Sequence, residues 1–166
     1  MIGVILGLGF QWWPNLQEPW QYLAFIFVYL SIIDYWIDTA AALKKYPPKR
    51  ELDLMLDIAI LFLLFLYIYA TQRTVLYLLG VFTIARALDA LWVLRVLSEY
   101  HPLPADGKGF VTWLRQMIFE ILFALALIGT TFLWPLGALI TLLPFIGFRV
   151  AMRVFASFRY KKVYFA

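Results

Sequence analysis

Residues 52–70, LDLMLDIAILFLLFLYIYA, decide the fold of this chain. The stretch has about the twenty residues that an α-helix needs to cross the hydrocarbon of a bilayer. It also carries two aspartates, Asp53 and Asp57, inside the apolar run rather than beside it. A charge in hydrocarbon is costly unless it is paired or hydrated. The stretch therefore predicts a transmembrane helix with one polar face turned away from lipid.

Apolar stretches of similar length lie on both sides of this one, at residues 20–43, 75–98, 110–131 and 136–157. The segments between them, 44–50, 71–74, 101–109 and 134–135, carry the charges, prolines and glycines that are typical of loops. The chain is 64% hydrophobic and its mean hydropathy is +0.84. Only 14% of its residues are charged, against about a quarter in soluble proteins. The pattern predicts an all-α, polytopic membrane bundle of five transmembrane helices.

The N-terminal stretch, MIGVILGLGF, is apolar but lacks the basic start and small-residue cleavage site of a signal peptide. As a helix, the residues up to Trp13 would span only about 20 Å, less than the hydrocarbon thickness. We therefore expect residues 1–19 to form an interfacial segment and residues 20–158 to form the five-helix transmembrane domain. Residues 159–166 are expected to form a basic, aromatic cytoplasmic tail.

The distribution of Lys and Arg predicts the orientation. Loop 44–50 contains four of them and segment 159–166 contains three, whereas loop 71–74 contains one. Cytoplasmic loops are enriched in Lys and Arg. We therefore expect loop 44–50 and the C-terminus to lie in the cytoplasm and the N-terminus to lie outside the cell, with the protein integral to the cell membrane.

Charged residues inside the five stretches all fall in the halves next to the basic loops. One of these charged residues, Arg115, is close to the preceding basic loop and is assigned to it. The other ten form a set inside the membrane spans. Counting about 1.5 Å per residue places Arg86 and Glu120 near the midplane and the rest up to roughly 13 Å toward the cytoplasm. Positions three or four apart share a helix face, so each helix has one polar stripe. We expect these stripes to converge in a charged funnel made of Asp34, Asp38, Asp53, Asp57, Arg86, Asp89, Arg95, Glu120, Arg149 and Arg153.

The acids in this set outnumber the arginines by six to four. A carboxylate without a compensating cation in such a place must be protonated, hydrated or bound to a cation. We therefore predict a cytoplasm-facing intramembrane site for proton or cation transport. The predicted acceptors are Asp34, Asp57, Asp89 and Glu120, and the predicted charge partners are Arg86, Arg149 and Arg153.

Two alternatives remain open. The two D-x-x-x-D patterns place paired carboxylates on single helix faces, which suits Mg²⁺ bridged to a diphosphate. The spacing resembles the aspartate-rich motifs of intramembrane prenyltransferases and lipid phosphotransferases, although the flanking Asn and Gly residues of those families are missing. The resemblance implies a Mg²⁺-dependent enzyme for a lipid phosphate or diphosphate, with metal ligands Asp34, Asp38, Asp53 and Asp57. The other alternative is a noncatalytic scaffold or accessory subunit whose buried charges set helix packing.

Composition excludes several kinds of site. Without Cys, the chain has no disulfide, thiolate metal site or Cys nucleophile, and its single His, His101, cannot supply two haem ligands. We expect no cofactor, and no nucleic-acid module is apparent. The sequence leaves enzymatic activity open and favours a non-enzyme. The apolar N-terminus and aromatic C-terminus indicate burial against other membrane subunits or against copies of this chain, so we expect a homo-oligomer or a larger complex within the lipid bilayer.

Overall fold

The structure, a computed structural model, describes residues 2–134 and 137–160, with the side chains of 104–105 and 156–160 outside that description. Within the described residues the chain is helical, without strands. Five helices are long and apolar enough to span a membrane, as the sequence predicts. The helices are α1 (Ile2–Phe10), α2 (Pro19–Lys45), α3 (Glu51–Ala70), α4 (Val75–Tyr100), α5 (Pro104–Leu133) and α6 (Ala138–Tyr160), and a short 3₁₀ turn (Trp13–Asn15) follows α1.

Local capping fixes where the long helices begin. Pro19 occupies the first turn of α2, where its missing N–H costs nothing, and the Gln21 side chain accepts from the backbone N–H of Glu18 at 3.0 Å. The Asp53 carboxylate accepts from the backbone N–H of Arg50 at 2.8 Å at the start of α3. The Thr74 hydroxyl accepts from the backbone N–H of Tyr77 at 3.2 Å at the start of α4. These side chains satisfy donors that a helix leaves open at its N-terminus.

One predicted boundary is wrong. The sequence predicted a loop through residue 109, but α5 already begins at Pro104. Proline is well accommodated in a first helical turn, and Asp106, also in that turn, complements the positive end of the helix dipole. These two features outweigh the low helix propensity of Gly107 and Gly109. The preceding helix, α4, ends at Tyr100, and the next residue, His101, caps it in a left-handed conformation with φ of 44°.

The long helices pack in the circular order α2, α3, α4, α5, α6 and back to α2, and α4 also touches α6. The connection after α2 and the connection after α4 lie at the same end, where Tyr46 packs against Tyr100 and Phe110. We call this end, which carries loop 44–50, the basic end of the bundle. The first helix, α1, packs against α3 at the opposite end.

The predicted interfacial segment folds onto the bundle. Tyr29 of α2 donates a hydrogen bond to the backbone carbonyl of Leu6 at 2.6 Å. Gly9 is buried so closely against Ile68 that an added Cβ would lie 2.6 Å from the Ile68 side chain. Residues of α1 therefore belong to the packed protein, while their depth in a membrane stays a prediction.

Two separate apolar clusters form the core. The larger one fills the end opposite the basic end and includes Phe25, Ile68 and Phe145, and the smaller one lies at the basic end and includes Trp92 and Met117. On α4, Arg86 and Asp89 fall between the parts of the helix that enter each cluster. On α5, Glu120 does the same. A layer of charge thus separates the two apolar clusters.

Candidate functional site

Four charged side chains meet inside this layer, and we call them the central ion-pair group: Arg86, Asp89, Glu120 and Arg149. Arg86 binds Asp89, one turn away on α4, with Nη1 2.9 Å from Oδ2, and binds Glu120 of α5 with Nε 3.0 Å from Oε2. Arg149 of α6 contacts the other oxygen of Glu120. The side chains are nearly buried, with Glu120 only 3% exposed. Two acids and two arginines balance one another in this group.

Aromatic rings close the central ion-pair group on its apolar side. The Phe82 ring lies beneath both guanidinium groups, with its centroid 5.5 Å from Cζ of Arg86 and 5.2 Å from Cζ of Arg149. Phe145 packs edge-on against Phe82 at 4.8 Å between centroids. Desolvated cation–π contacts of this kind are favourable, so Phe82 stabilises both arginines.

A cavity of about 20 Å³ adjoins the central ion-pair group between α2, α3, α4 and α6. Its lining includes Ser31, Tyr35, Tyr67 and Asp89. The Tyr67 hydroxyl and Oδ1 of Asp89 are buried, and neither has a hydrogen-bond partner among the described residues. A site of this size with several polar partners suits a single water molecule. The cavity is too small for a lipid headgroup or an organic substrate.

A second set of charges, which we call the α2–α6 group, consists of Asp34, Asp38 and Arg153. Arg153 binds Asp38 at 2.6 Å and also contacts Asp34, which lies one turn away from Asp38 on α2. This group is more open than the central one: 40% of the Asp34 side chain and 34% of the Arg153 side chain are exposed. It lies one helical turn along α6 from Arg149, toward the basic end.

A third set, the α3–α4 group, consists of Asp53, Asp57 and Arg95. Nη1 of Arg95 lies 3.4 Å from Oδ2 of Asp53, and the guanidinium stacks near Trp92 at 5.5 Å from the ring centroid. The Arg95 nitrogens are buried without hydrogen-bond partners among the described residues, so this pair is looser than the central ones. Asp57 lies one turn beyond Asp53 on α3, within range of the Arg95 charge.

The predicted site residues therefore fall into three places. Asp89, Glu120, Arg86 and Arg149 come together in the central ion-pair group, whereas Asp34 belongs to the α2–α6 group and Asp57 to the α3–α4 group. Among the described side chains, Asp34 and Asp38 share one arginine, Arg153. On α3, Asp53 pairs with Arg95, and Asp57 lies only within range of that charge. The four aspartates proposed as metal ligands lie in two different groups. Among the described residues, no three or more Asp, Glu, His or Cys side chains are arranged to hold a metal ion.

Sequence reasoning missed the contacts at the basic end. Asp106 binds Lys45 at 2.7 Å and accepts from the Tyr46 hydroxyl at 3.0 Å. Burial, together with the hydrogen bond to the Asp106 carboxylate, raises the pKa of Tyr46. Tyr100 also donates to the backbone carbonyl of Pro47. These contacts tie the start of α5 to loop 44–50, and no periodic pattern signals them.

Phe82 was missed as well, although it lies four residues before Arg86 and hence on the same face of α4. The four-residue spacing could have indicated that the Phe82 ring contacts the Arg86 guanidinium. Most of the predicted tail, 159–166, lies outside the described residues. The exception is the backbone of Arg159 and Tyr160, the last two residues of α6.

Comparison of the chain with protein-family models, with curated proteins and with solved structures finds no match.

Proposed function

We propose that this small integral membrane protein contributes an intramembrane site for protons or cations, as part of an oligomer or a larger membrane complex. In this proposal the basic end faces the cytoplasm, because cytoplasmic loops are enriched in Lys and Arg. The acceptors are the acids that exceed the local arginines, Asp34 in the α2–α6 group and Asp57 in the α3–α4 group.

The observation that carries the proposal is the uneven placement of charge. Among the side chains that the structure describes, the central ion-pair group is balanced, whereas the α2–α6 and α3–α4 groups each hold two acids and one arginine. An acid in excess within a membrane span favours uptake of a proton or a cation.

The central ion-pair group supports a gate rather than an acceptor site. Glu120 is held by two guanidinium groups, so protonating it would leave both of them without their shared partner. Beyond it, toward the end opposite the basic end, the buried hydroxyls of Thr131 and Thr141 lie 3.2 Å apart within an otherwise apolar cluster. Passage across the bundle in this proposal requires movement of the central group or a path completed by another subunit.

Flux measurements on purified protein in liposomes test the proposal. We expect that an imposed pH or potassium gradient drives flux through the wild type. Asp34→Asn and Asp57→Asn should each lower this flux at least about tenfold, since an amide does not take up a proton at neutral pH and lacks the negative charge that attracts a cation. Glu51→Gln is the matched control because Glu51 is an exposed acid at the basic end. Wild-type flux in both aspartate variants would reject the proposal.

A second candidate is a noncatalytic scaffold or accessory subunit. The balance of the central ion-pair group favours it, because a neutral network of this kind fixes the relative positions of α4, α5 and α6 without binding an ion. A wild-type protein that carries no flux in liposomes, but co-purifies at fixed stoichiometry with another membrane protein, would support this candidate.

A further inference from the structure

Arg115 is an isolated cation on the outward face of α5. It is exposed, and the residues that share its face at helical spacing are exposed and apolar, namely Val111, Ile118, Phe119 and Leu122. No ion pair involves Arg115 among the described residues. We call this surface the α5 face. Because a guanidinium beside acyl chains is costly, its position calls for an anionic partner outside the protomer.

The central ion-pair group fixes the level of Arg115. Glu120 of α5 contacts Arg149 of α6, so these two residues lie at one height. Arg115 precedes Glu120 by five residues, about 7.5 Å along α5 toward the basic end. Arg153 follows Arg149 by four residues, about 6 Å along α6 in the same direction. Arg115 therefore lies at the height of the α2–α6 group, inside the span rather than with the basic loop to which the sequence analysis assigned it.

The α2–α6 group offers an acid at that height. Asp34 contacts Arg153 through Oδ1, and 40% of its side chain remains exposed. A carboxylate has two oxygens and accepts hydrogen bonds from more than one donor. The exposed side chains near Asp34 are apolar, with Leu30 and Ile37 on α2 and Val150 on α6. We call this surface the α2–α6 face.

We propose that the α5 face of one copy packs against the α2–α6 face of a second copy, with Arg115 bound to Asp34 across the interface. The two charges match in height only if both copies are inserted in the same direction. Because α5 and α2 both flank α6, a parallel two-fold dimer would form the Arg115–Asp34 contact twice, and a larger ring would form it once per copy. Apolar surfaces gain little by leaving lipid, so the ion pair supplies the specificity and the register.

This interface pairs Asp34 with a second cation, so an assembly that contains it leaves Asp57 as the acceptor of the transport proposal. The measurements that test the interface detect assembly rather than flux, and Arg115→Leu changes no proposed acceptor. Arg115→Leu removes the cation and leaves a side chain that suits lipid. The protomer should fold normally because Arg115 makes no ion pair within it. Mass measurement in a mild detergent or in nanodiscs should show the oligomer for the wild type and for Arg115→Lys. For Arg115→Leu, association should be about tenfold weaker, as for the loss of one interhelical polar contact.

Lys108→Leu is the matched control. Lys108 is an exposed cation seven residues before Arg115 on α5, on nearly the same side of the helix, but about 10 Å away along the axis. The Lys108→Leu variant should assemble like the wild type. Asp34→Asn, the change on the other side of the interface, should weaken association as Arg115→Leu does, while circular dichroism confirms its helix content.

Disulfide cross-linking tests the register directly, since the chain has no Cys. Leu30 of α2 and Leu122 of α5 lie at similar heights on the two faces, so the double variant Leu30→Cys, Leu122→Cys should form disulfides between copies. A two-fold dimer gives a dimer band, and a larger ring gives a ladder. Moving the first cysteine to the exposed Leu23 shifts it about 10 Å along the same side of α2, too far for a disulfide. That variant should stay uncross-linked.

Three results would overturn the interface. The first is a monomeric wild type in nanodiscs, and the second is an Arg115→Leu variant with the wild-type mass and cross-linking yield. The third is an assembly that is unchanged by Arg115→Leu while a bound anionic lipid is lost, which would assign Arg115 to a lipid headgroup instead.

Discussion

Glu120→Gln should be the most destabilising conservative change in the bundle. Glu120 is 3% exposed and its two carboxylate oxygens bind two different arginines, Arg86 and Arg149. The amide keeps the shape but removes the negative charge, and its NH₂ group faces a guanidinium. Asp89 is then the only acid left in the group to balance two buried cations. Removing one partner from a buried ion pair costs about 3–5 kcal/mol.

The loss is large enough to measure by thermal unfolding in detergent. For a chain of this size, about 1 kcal/mol corresponds to roughly 2–4 °C in Tm, so Glu120→Gln should unfold roughly 6–20 °C below the wild type. Asp106→Asn makes the same chemical change at an exposed ion pair, where Lys45 is 60% exposed. That control should cost less than about 1 kcal/mol.

A compensated variant separates lost charge balance from lost packing. Replacing Glu120 and Arg149 together by leucine leaves Arg86 paired with Asp89 and restores neutrality. Since exchanging a whole buried ion pair for apolar residues is often neutral, the double variant should recover most of the stability. A Tm for Glu120→Gln within about 2 °C of the wild type, or a double variant less stable than Glu120→Gln, would refute this account of the central group.

Two smaller effects follow from contacts at the end opposite the basic end. Gly9→Ala should destabilise the protein by about 1–3 kcal/mol because the added methyl meets Ile68, whereas Gly7→Ala, with nothing within 4 Å, should be neutral or stabilising by up to about 1 kcal/mol. Equal Tm values for the two variants would contradict the packing of α1 on α3. Thr141→Val should cost about 0.6–1.7 kcal/mol, measured by reversible unfolding in bicelles, because it leaves buried Thr131 without its hydroxyl partner across the α5–α6 contact. Unchanged stability would show that this contact contributes nothing.

Much of the fold could be predicted because hydrophobic length is a local property. Each predicted stretch corresponds to one long helix, and the first boundary is typical, with 20–43 predicted and Pro19–Lys45 observed. The exception was the start of α5, where Pro and Gly are as compatible with a first helical turn as with a loop. In the folded protein, Asp106 in that first turn also contacts Lys45 and Tyr46. A local pattern does not show these contacts, because they join distant parts of the chain.

The pairing of charges could not be predicted in the same way. Periodicity places Arg149 and Arg153 on one side of α6, but it does not say which helices lie on either side of α6. The circular order of packing decides that Arg149 reaches Glu120 of α5 and Arg153 reaches the aspartates of α2. That order depends on contacts between elements far apart in sequence, so the single predicted funnel became three separate groups.

The position of α6 follows from these pairs. It contributes two arginines to the charged layer and no acid, so its cations depend on acids supplied by its two neighbours. One turn of helix separates a contact with α5 from a contact with α2, which makes a rotation or slide of α6 costly, since it would break both at once. The arginines of α4 in this layer also bind an acid within the protomer. Among the described arginines of the spans, Arg115 alone binds no acid within the protomer. A cation inside a membrane span needs an anionic partner, and for Arg115 we propose that this partner is an acid on another molecule.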